Sequence, residues 1–374
     1  MSMCFLICEG LKRQGGEGDE GERESPGSHE RRSVAAARLV REGYDVIGVT
    51  MRLSEEVRGG DRAAEDARGV AELLQIPHYV ADFRELFRRR VIDYFVTAYA
   101  AGQTPNPCVA CNHYLKFSGL WEKAQEFGAD FLATGHYARV TWNKTLGRFQ
   151  LLKGRDGKKD QSYVLYHIAS NLLPHLLLPL GDFTKPEIRD MAADLGLSVA
   201  TKAESQEICF IADDDYGRFL REHCPECLKP GDIVDGTGRV LGRHAGAPLY
   251  TIGQRRGLGI AAPEPLYVIG LDMEKNQVVV GKENEVFTDT LTARGVNWLA
   301  GNPLGLPRRV EAKIRYGPRT ALAAVSPLDE SRVEVRFDTP QRAVTPGQSV
   351  VFYNGDEVLG GGVIEGTTLE KKLR

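Results

Sequence analysis

The sequence predicts an α/β N-terminal domain with a doubly wound parallel sheet, then a small mixed central domain and a C-terminal β-barrel. Three observations lead to this prediction. The chain has 374 residues, more than one hydrophobic core usually serves. Strand-like and helix-like segments alternate from Ser33 to about residue 210. Beyond that point, and entirely so from Thr290, short β-type segments are separated by turn residues.

Composition and charge exclude several classes of protein. Hydrophobic residues make up 42% and charged residues 26%, which are ordinary globular values. A net charge of −3 gives no overall basic field, so nucleic-acid binding would depend on local patches. Seven cysteines without a small-domain spacing indicate a reducing compartment. No apolar run approaches the length of a membrane span, so we expect a cytoplasmic protein with no membrane partner.

The N-terminal residues differ from the rest of the chain. Residues 9–32 are rich in glycine and charge and contain almost no apolar residues. Such a segment cannot offset its ordering entropy, and we expect 1–32 to be disordered. The remaining chain is predicted to form an α/β domain at 33–210, a small mixed central domain at 211–289 and a β-barrel at 290–374.

The elements of the α/β domain follow from periodicity and composition. The predicted strands are Asp45–Met51, Pro77–Asp82 and Asp130–His136, and the predicted helices are Val34–Val40, Ala63–Leu74, Phe83–Ala101 and Leu115–Phe127. In such sheets ligands bind beyond the carboxyl ends of the strands. Met51 and the Gly135-His136 pair fall at such ends, which makes this edge the expected ligand site.

A proline-flanked segment with two cysteines is the most distinctive stretch. Pro105 and Pro107 fix the backbone before Cys108 and Cys111, and we expect a stiff loop here, not a helix turn. A third cysteine, Cys209, follows about 100 residues later. Our hypothesis is that Cys111 and Cys209 meet in the fold and perform sulfur chemistry.

Two other interpretations of the cysteines stay open at this point. Free cysteines are often inert core residues. The spacing of Cys108 and Cys111 also suits zinc, and Cys224 and Cys227 form a second such pair. The two pairs lie in segments assigned to different domains, which disfavours a joint zinc site.

Seven motifs carry a resemblance to a known family. They are Gln103–Pro107, Cys111-Asn112, Leu115–Phe117, Ala133–Ala138, Lys159–Tyr163, Ile208–Ile211 and Thr251–Gly259. In this order they resemble the tRNA-specific 2-thiouridylases, from Ser33 to the C-terminus. The resemblance implies an adenine-nucleotide alpha-hydrolase-like domain that uses ATP and Mg²⁺. It also implies 2-thiolation of the wobble uridine of tRNAs for Lys, Glu and Gln, with sulfur from a relay protein or a cysteine desulfurase.

The resemblance also assigns roles to individual residues. Cys209 would carry a persulfide, and Cys111 would be the nucleophile that releases the sulfur or closes a disulfide with Cys209. The remaining assignments are ATP contacts at Met51, Gly135 and Ser33, target-base contacts at Asn106, Pro107 and Cys108, and tRNA contacts at His136, Lys159, Asp160, Gln161, Arg315, Tyr316 and Gln348.

One departure from the family pattern concerns the phosphate-binding loop. The family has Ser-Gly-Gly-x-Asp-Ser-Ser, whereas this chain has Gly27–Ser33, in which only Ser33 matches. A phosphate cradle needs glycines for close backbone approach. Codons available for Pro26–Ser33 spell Leu-Val-Ala-Met-Ser-Gly-Gly-Val when read one base later. We therefore hypothesise a frame change before Ser33, and we expect poor ATP binding and little thiolation.

A second departure is Cys108, where many members have aspartate. Cys108, Cys111 and Cys209 give three thiols, and three cysteines can hold a [4Fe–4S] cluster, which is an alternative to the persulfide route. Two other functions stay open: an inactive tRNA-binding relic, and an ATP-dependent ligase of the argininosuccinate-synthase type. The separated cysteines and the all-β C-terminal region count against the ligase.

Overall fold

The computed structural model describes residues 3–9, 28–53, 60–195, 208–211, 213–301, 307–317 and 319–367. The chain forms two compact units. The first comprises Met1–Val91, Cys108–Asp214 and Asp356–Val358, and the second Ile92–Pro107, Asp215–Gly355 and Leu359–Arg374.

The described part of the chain alternates strands and helices first and is almost entirely β afterwards. Its strands are β1 Met3–Glu9, β2 Asp45–Arg52, β3 His78–Asp82, β4 Phe131–Ala133, β5 Ala138–Asn143, β6 Arg148–Lys153, β7 Leu176–Leu177, β8 Gly231–Asp235, β9 Val240–His244, β10 Tyr267–Asp272, β11 Gln277–Gly281, β12 Phe287–Trp298, β13 Arg308–Lys313, β14 Ala321–Pro327, β15 Arg332–Arg342, β16 Ser349–Asn354 and β17 Glu357–Thr367. Its α-helices are α1 Ser28–Arg41, α2 Gly60–Leu73, α3 Arg84–Phe87, α4 Asp93–Ala100, α5 Pro107–Ala110, α6 Leu120–Glu126, α7 Lys185–Asp194 and α8 Tyr216–His223. Two π-helical stretches, Arg88–Ile92 and Cys111–Gly119, continue α3 and α5. None of the helices in these described ranges is long and apolar enough to cross a bilayer.

A five-stranded sheet organises the first unit, with strand order β3-β2-β1-β4-β7. The pairs β2–β3 and β4–β7 are parallel, as the alternating pattern predicts. β2 is buried along most of its length, which explains its continuous apolar sequence. The predicted strands at Asp45–Met51 and Pro77–Asp82 are confirmed within one residue at each end.

The central strand of this sheet, β1, runs in the opposite direction to its neighbours. It pairs antiparallel with β2, from Met3 opposite Met51 to Glu9 opposite Asp45. It also pairs antiparallel with β4. The strand therefore ends at the edge where β2 begins, opposite the edge at which Met51 lies. The predicted sheet was parallel throughout, and β1 is the exception.

The predicted disorder of residues 1–32 is wrong for two segments. β1 occupies Met3–Glu9, and its apolar sequence suits a central strand that pairs with a neighbouring strand along each edge. Helix α1 begins at Ser28 and not near Ser33. Serine is a favoured residue at a helix start, and the glutamate and arginines that follow are good helix formers. Residues 10–27 of the predicted disordered segment lie outside the described residues.

Helix α1 is fixed by its apolar face. Val34, Ala35 and Leu39 are at most 1% exposed and belong to a core cluster that also contains residues of α7. Helix α1 ends as predicted before Gly43, whose φ of 87° favours glycine at a helix C-terminus. Helix α7 begins with a capping box in which the Glu187 carboxylate accepts from the Thr184 backbone N–H at 2.6 Å.

The second unit contains two β structures. A small sheet has the order β10-β11-β8-β9, in which β8 and β11 are parallel. Strands β12-β15-β14-β13-β16-β17 form a longer series, and β12 also pairs with β17. This last pairing closes the six strands into the predicted C-terminal barrel, whose interior is filled by residues such as Val335, Val350 and Phe352. Gly253–Gly259, predicted as strand and turn, forms turns only.

Candidate functional site

The segment before the first two cysteines is held by barrel residues of the same unit. The Gln348 side-chain amide donates to the Thr104 carbonyl at 2.9 Å. A Cβ on Gly347 would lie 2.9 Å from the Thr104 backbone, and the φ of Gly347 is 91°, so the close approach requires glycine here. Pro107 is buried and Asn106 half-buried. The predicted stiffness of this segment thus has a structural cause beyond its prolines.

The prediction that the cysteines lie in a loop and not in a helix is wrong. Pro107 begins helix α5, which continues into the π-helix Cys111–Gly119. Proline suits the first helical position, because its φ is already helical and the missing N–H has no partner there anyway. Cys108 is exposed and Cys111 is only 6% exposed. The two cysteines are therefore positioned by a helix and not by a loop tip.

Cys209 lies in a short turn of the first unit. The Ile211 N–H donates to the Ile208 carbonyl at 2.9 Å and closes the turn. The Phe210 ring packs edge-on against Phe87, with centroids 5.8 Å apart. Cys209 itself is half-buried. The apolar residue after the cysteine thus anchors the turn that positions Cys209.

The structure brings the three predicted cysteines into one region of the first unit. Burial first, and then the nearby Cys111 and Cys108 thiols, raise the pKa of Cys209 to about 12. Burial also raises the pKa values of Cys111 and Cys108. Cys108 keeps contact with solvent, but the protein atoms packed around its sulfur produce this effect. All three are free thiols.

A buried lysine lies beside these thiols. Lys116 is 7% exposed and sits between the buried residues Leu115 and Phe117. Its positive charge lowers the pKa of Cys108, Cys111 and Cys209, against the larger effect of burial. The charge of this one buried lysine therefore acts on all three thiols.

The residues predicted to contact ATP are largely covered by other parts of the first unit in the described structure. Met51 is fully buried and Ser33 is 8% exposed. A Cβ on Gly135 would lie 3.3 Å from the backbone carbonyl carbon and oxygen of Arg31, so helix α1 already occupies the position against this glycine. Because β1 runs antiparallel, its end lies at the opposite edge of the sheet. Whether Met51, Gly135 and Ser33 contact ATP stays a prediction.

The predicted tRNA contacts of the first unit differ in their exposure. The Asp160 carboxylate is buried and accepts from the Gly154 N–H at 3.1 Å and from the Ser162 N–H and hydroxyl at 3.0 and 2.9 Å. The Gln161 side-chain oxygen accepts from a backbone N–H at 3.0 Å. These two side chains therefore hold the turn. His136 and Lys159 are half-buried. Whether any of these residues contacts tRNA stays a prediction.

The predicted tRNA contacts of the second unit lie on the barrel. Arg315 and Tyr316 follow strand β13 and are exposed, Tyr316 by 52%. The Arg315 guanidinium donates to the Arg342 carbonyl. Gln348 binds the backbone of Thr104, as described above, so its amide has a structural use.

Metal ligation by the cysteines finds no support in the geometry. In the described ranges, no group of three or more His, Cys, Asp or Glu side chains is placed to hold a metal ion. This holds for Cys108, Cys111 and Cys209 as potential cluster ligands. Of the second pair, the Cys227 thiol donates to the Cys224 carbonyl at 2.8 Å and the Cys224 thiol to Glu226 at 3.4 Å.

Comparison with known proteins identifies the family. Three family models match: a tRNA methyl transferase HUP domain at residues 31–213, a tRNA methyl transferase PRC-barrel domain at 217–282 and an aminomethyltransferase beta-barrel domain at 288–364. A tRNA-specific 2-thiouridylase MnmA from Acetivibrio thermocellus is 50% identical over 343 residues, which cover 89% of this chain and 96% of the relative. The chain belongs to the tRNA-specific 2-thiouridylase family.

Other members of the family agree with this assignment. The 2-thiouridylase of Moorella thermoacetica is 51% identical over 342 residues, with 89% of this chain and 96% of the relative covered. That of Carboxydothermus hydrogenoformans is 50% identical over 343 residues, with 89% and 94% covered. The matched domain types confirm the predicted fold class of an α/β domain followed by a small central domain and a β-barrel.

Sequence reasoning missed Lys116 as a candidate functional residue. Leu115–Phe117 was recognised as part of a family motif, but no role was assigned to the lysine. A signal was present, because a lysine between two apolar residues and five positions after a candidate nucleophile is an unusual core residue. Asn112 was also recognised only as part of a motif. Its side-chain nitrogen donates to the Val164 carbonyl at 2.9 Å and ties the helix start to a neighbouring turn.

Proposed function

We propose that this chain is a tRNA 2-thiouridylase for the wobble uridine, with an intact sulfur-transfer site and an impaired ATP-dependent activation step. Family membership supports the sulfur transfer to tRNA. The single observation that best supports an intact sulfur-transfer site is that Cys111 and Cys209 lie in one region of the first unit, where the charge of Lys116 acts on both. This placement and the family motifs support the catalytic roles proposed for the two cysteines.

The proposed sulfur transfer uses the two cysteines in sequence. A sulfur-relay protein or a cysteine desulfurase supplies a persulfide on Cys209. The terminal sulfur attacks C2 of the uracil, the C2–O bond breaks, and the oxygen would leave with the activating group that ATP supplies. The Cys111 thiolate then attacks the Sγ of Cys209, which forms the Cys111–Cys209 disulfide and leaves the terminal sulfur on C2 as the thiocarbonyl. The two cysteines are oxidised by two electrons, and an external thiol restores them.

Access to the base requires that the wobble uridine leaves the anticodon stack. We propose that Asn106, Pro107 and Cys108 border the extruded base. The exposed Arg315 and Tyr316 suit a phosphate and a base face respectively. His136, Lys159, Asp160, Gln161 and Gln348 complete the proposed tRNA-binding set, with the structural contacts of Asp160, Gln161 and Gln348 favouring an indirect role.

The N-terminal region supports the proposed impairment of the activation step. The oxygen on C2 is a poor leaving group, and the family resemblance implies that ATP and Mg²⁺ activate it. In this chain no Ser-Gly-Gly-x-Asp-Ser sequence precedes Ser33, and the matched HUP region begins at residue 31. The start of α1 lies against Gly135, and β1 ends at the opposite edge of the sheet. We therefore derive no chemical step through the nucleotide.

Restoring the loop tests this proposal. In a repaired variant, the segment before Ser33 is replaced by a strand-forming stretch and Ser-Gly-Gly-Val-Asp-Ser, so that Ser33 becomes the last loop residue. The matched control carries alanine at both loop glycines. Thiouridine in tRNA is measured by nucleoside mass spectrometry, with ATP, Mg²⁺ and a persulfide donor, and activation is measured by ATP–pyrophosphate exchange.

We expect the repaired variant to thiolate tRNA at least about 100-fold faster than the native chain, since the loss of preorganised donors costs about that much. Equal rates in the two proteins would contradict the impaired activation. A repaired variant that binds tRNA but does not thiolate it would favour the tRNA-binding relic. Stoichiometric iron after anaerobic purification, lost in Cys108→Ala, would favour the cluster route over the persulfide.

A further inference from the structure

The Lys116 side chain is a buried charge without an acidic partner in the described part of the chain. It is 7% exposed, and no described carboxylate forms an ion pair with it. The groups on which its charge acts among these residues are the thiols of Cys108, Cys111 and Cys209. A buried ammonium is costly unless it is compensated. A buried lysine whose charge acts on three thiols is therefore suited to a role in the chemistry of those thiols.

The local helix type explains how Lys116 reaches the cysteines. Lys116 follows Cys111 by five positions within the π-helix Cys111–Gly119. The Leu120 N–H donates to the Leu115 carbonyl, five residues back, which is the bonding pattern of this helix type. Residues five apart therefore lie nearly above one another. In a regular α-helix the same spacing would turn the side chains about 140° apart.

We propose that Lys116 is a positioning residue that stabilises the negative charge on the sulfur atoms of Cys209 and Cys111 during sulfur transfer. This inference rests on the proposed function, because it concerns the same thiols. The charge develops when the Cys209 persulfide loses its proton before it attacks, and again when the Cys111 thiol is deprotonated. A fixed cation in a water-poor site stabilises such charge without reorganisation. No oxidant or further reactant is needed for this effect.

Paired alkylating reagents test the proposal without tRNA or ATP. Iodoacetate is anionic and iodoacetamide is neutral, and both react with the same thiolate. The ratio of their rates at one cysteine therefore cancels the thiolate fraction and reports the local electrostatic potential. Rates at Cys108 and Cys209 are followed by peptide mass spectrometry in the native chain, in Lys116→Met and in Lys116→Arg. The matched control is Lys123→Met, which removes an exposed lysine that pairs with Glu126.

We expect Lys116→Met to lower the iodoacetate-to-iodoacetamide ratio about fivefold at Cys209 and Cys108, the size of effect that one unit charge has nearby. Lys116→Arg should keep the ratio within about twofold, because the charge is retained, and Lys123→Met should leave it unchanged. An unchanged ratio in a folded Lys116→Met protein would overturn the proposal. So would an equal loss in Lys116→Arg, since the effect would then be structural.

If Lys116→Met does not fold, the role of Lys116 is tested by comparing the reagent ratio at two cysteines of the native chain. Burial first, then the neighbouring Cys224 and last the adjacent Glu226 carboxylate, raise the pKa of Cys227. The reagent ratio should be higher at Cys209 than at Cys227, and an equal or lower ratio would overturn the proposal. These readouts are independent of thiolation. A failed repaired loop contradicts the proposed function and not the role of Lys116.

Discussion

Two regions of the first unit can be compared: the thiol region, formed by Cys108, Cys111 and Cys209, and the proposed nucleotide edge of the sheet at Met51 and Gly135. They differ in which parts of the chain form them. The thiols of Cys108 and Cys111 are placed by one continuous helical segment, and Cys209 by a short anchored turn. The proposed nucleotide edge is formed by strands and by the start of α1, which are far apart in the chain. There, β1 runs antiparallel to β2 and β4, and α1 begins six residues earlier than predicted. A site built from local helix geometry is therefore less sensitive to a change in a distant segment.

The strongest test of this comparison removes the proposed sulfur carrier. In the repaired protein, Cys209→Ala should lower tRNA thiolation at least about 1000-fold, because the persulfide has no other site of attachment. The measurement is nucleoside mass spectrometry under single-turnover conditions. Cys227→Ala is the control and should retain the rate within about twofold. Comparable activity in Cys209→Ala would show that sulfur reaches the base by another route.

The scaffold of the first unit should be sensitive at Asp160. Asp160→Ala removes three hydrogen bonds and leaves the Gly154 and Ser162 donors without this acceptor. We expect the free energy of unfolding to fall by about 3 kcal/mol, measured by urea denaturation. Glu72→Ala, which removes an exposed carboxylate, should change it by less than about 0.5 kcal/mol. A similar small change at Asp160 would show that its buried contacts contribute little.

The pH dependence of Cys209 should report its burial. With a pKa of about 12, the alkylation rate by iodoacetamide should rise about tenfold per pH unit from pH 7 to 10, without a plateau. The folded state also holds this proton more tightly than the unfolded state, whose thiol has its ordinary pKa of 9.0. Between these values the unfolded chain loses the proton first, so stability falls as pH rises above about 9. A plateau near neutral pH would contradict the buried, protonated thiol.

A smaller effect is expected where the barrel holds the proline segment. Gln348→Ala removes the hydrogen bond to the Thr104 carbonyl and should lower the stability of the second unit by about 1 kcal/mol. In the repaired protein it should also lower thiolation by a few-fold, since the segment before Cys108 loses its support. Gln341→Ala, which affects a half-buried glutamine bonded only locally to Thr339, is the control. Equal stability of the two variants would argue against the bracing role.

Much of the α/β unit was predictable because its signals are local. The apolar run at Asp45–Met51 and the glycine at residue 43 define a strand and a helix end within one residue. The direction of β1 was not predictable in the same way. It depends on pairing with strands about 40 and 125 residues away along the chain, which no periodicity encodes.

The candidate site was predicted in its residue types and not in its local structure. The hypothesis that Cys111 and Cys209 approach each other agrees with their placement in one region, although their catalytic roles stay proposals. The two prolines predicted a loop because proline disrupts the interior of a helix. Proline is also favoured at the first helical position, which is where Pro107 lies, and the sequence pattern does not distinguish the two cases. Lys116 was missed because charge in a core is recognised only when its surroundings are known.

The π-helix Cys111–Gly119 also limits how this region can vary in length. Each backbone hydrogen bond of a π-helix joins residues five apart, whereas an α-helix joins residues four apart. Deletion of a single residue from this helix would allow the backbone to adopt α-helical geometry. The residues after the deletion would then be rotated about the helix axis relative to those before it. Family members should therefore accept exchanges of side chains here far more readily than insertions or deletions.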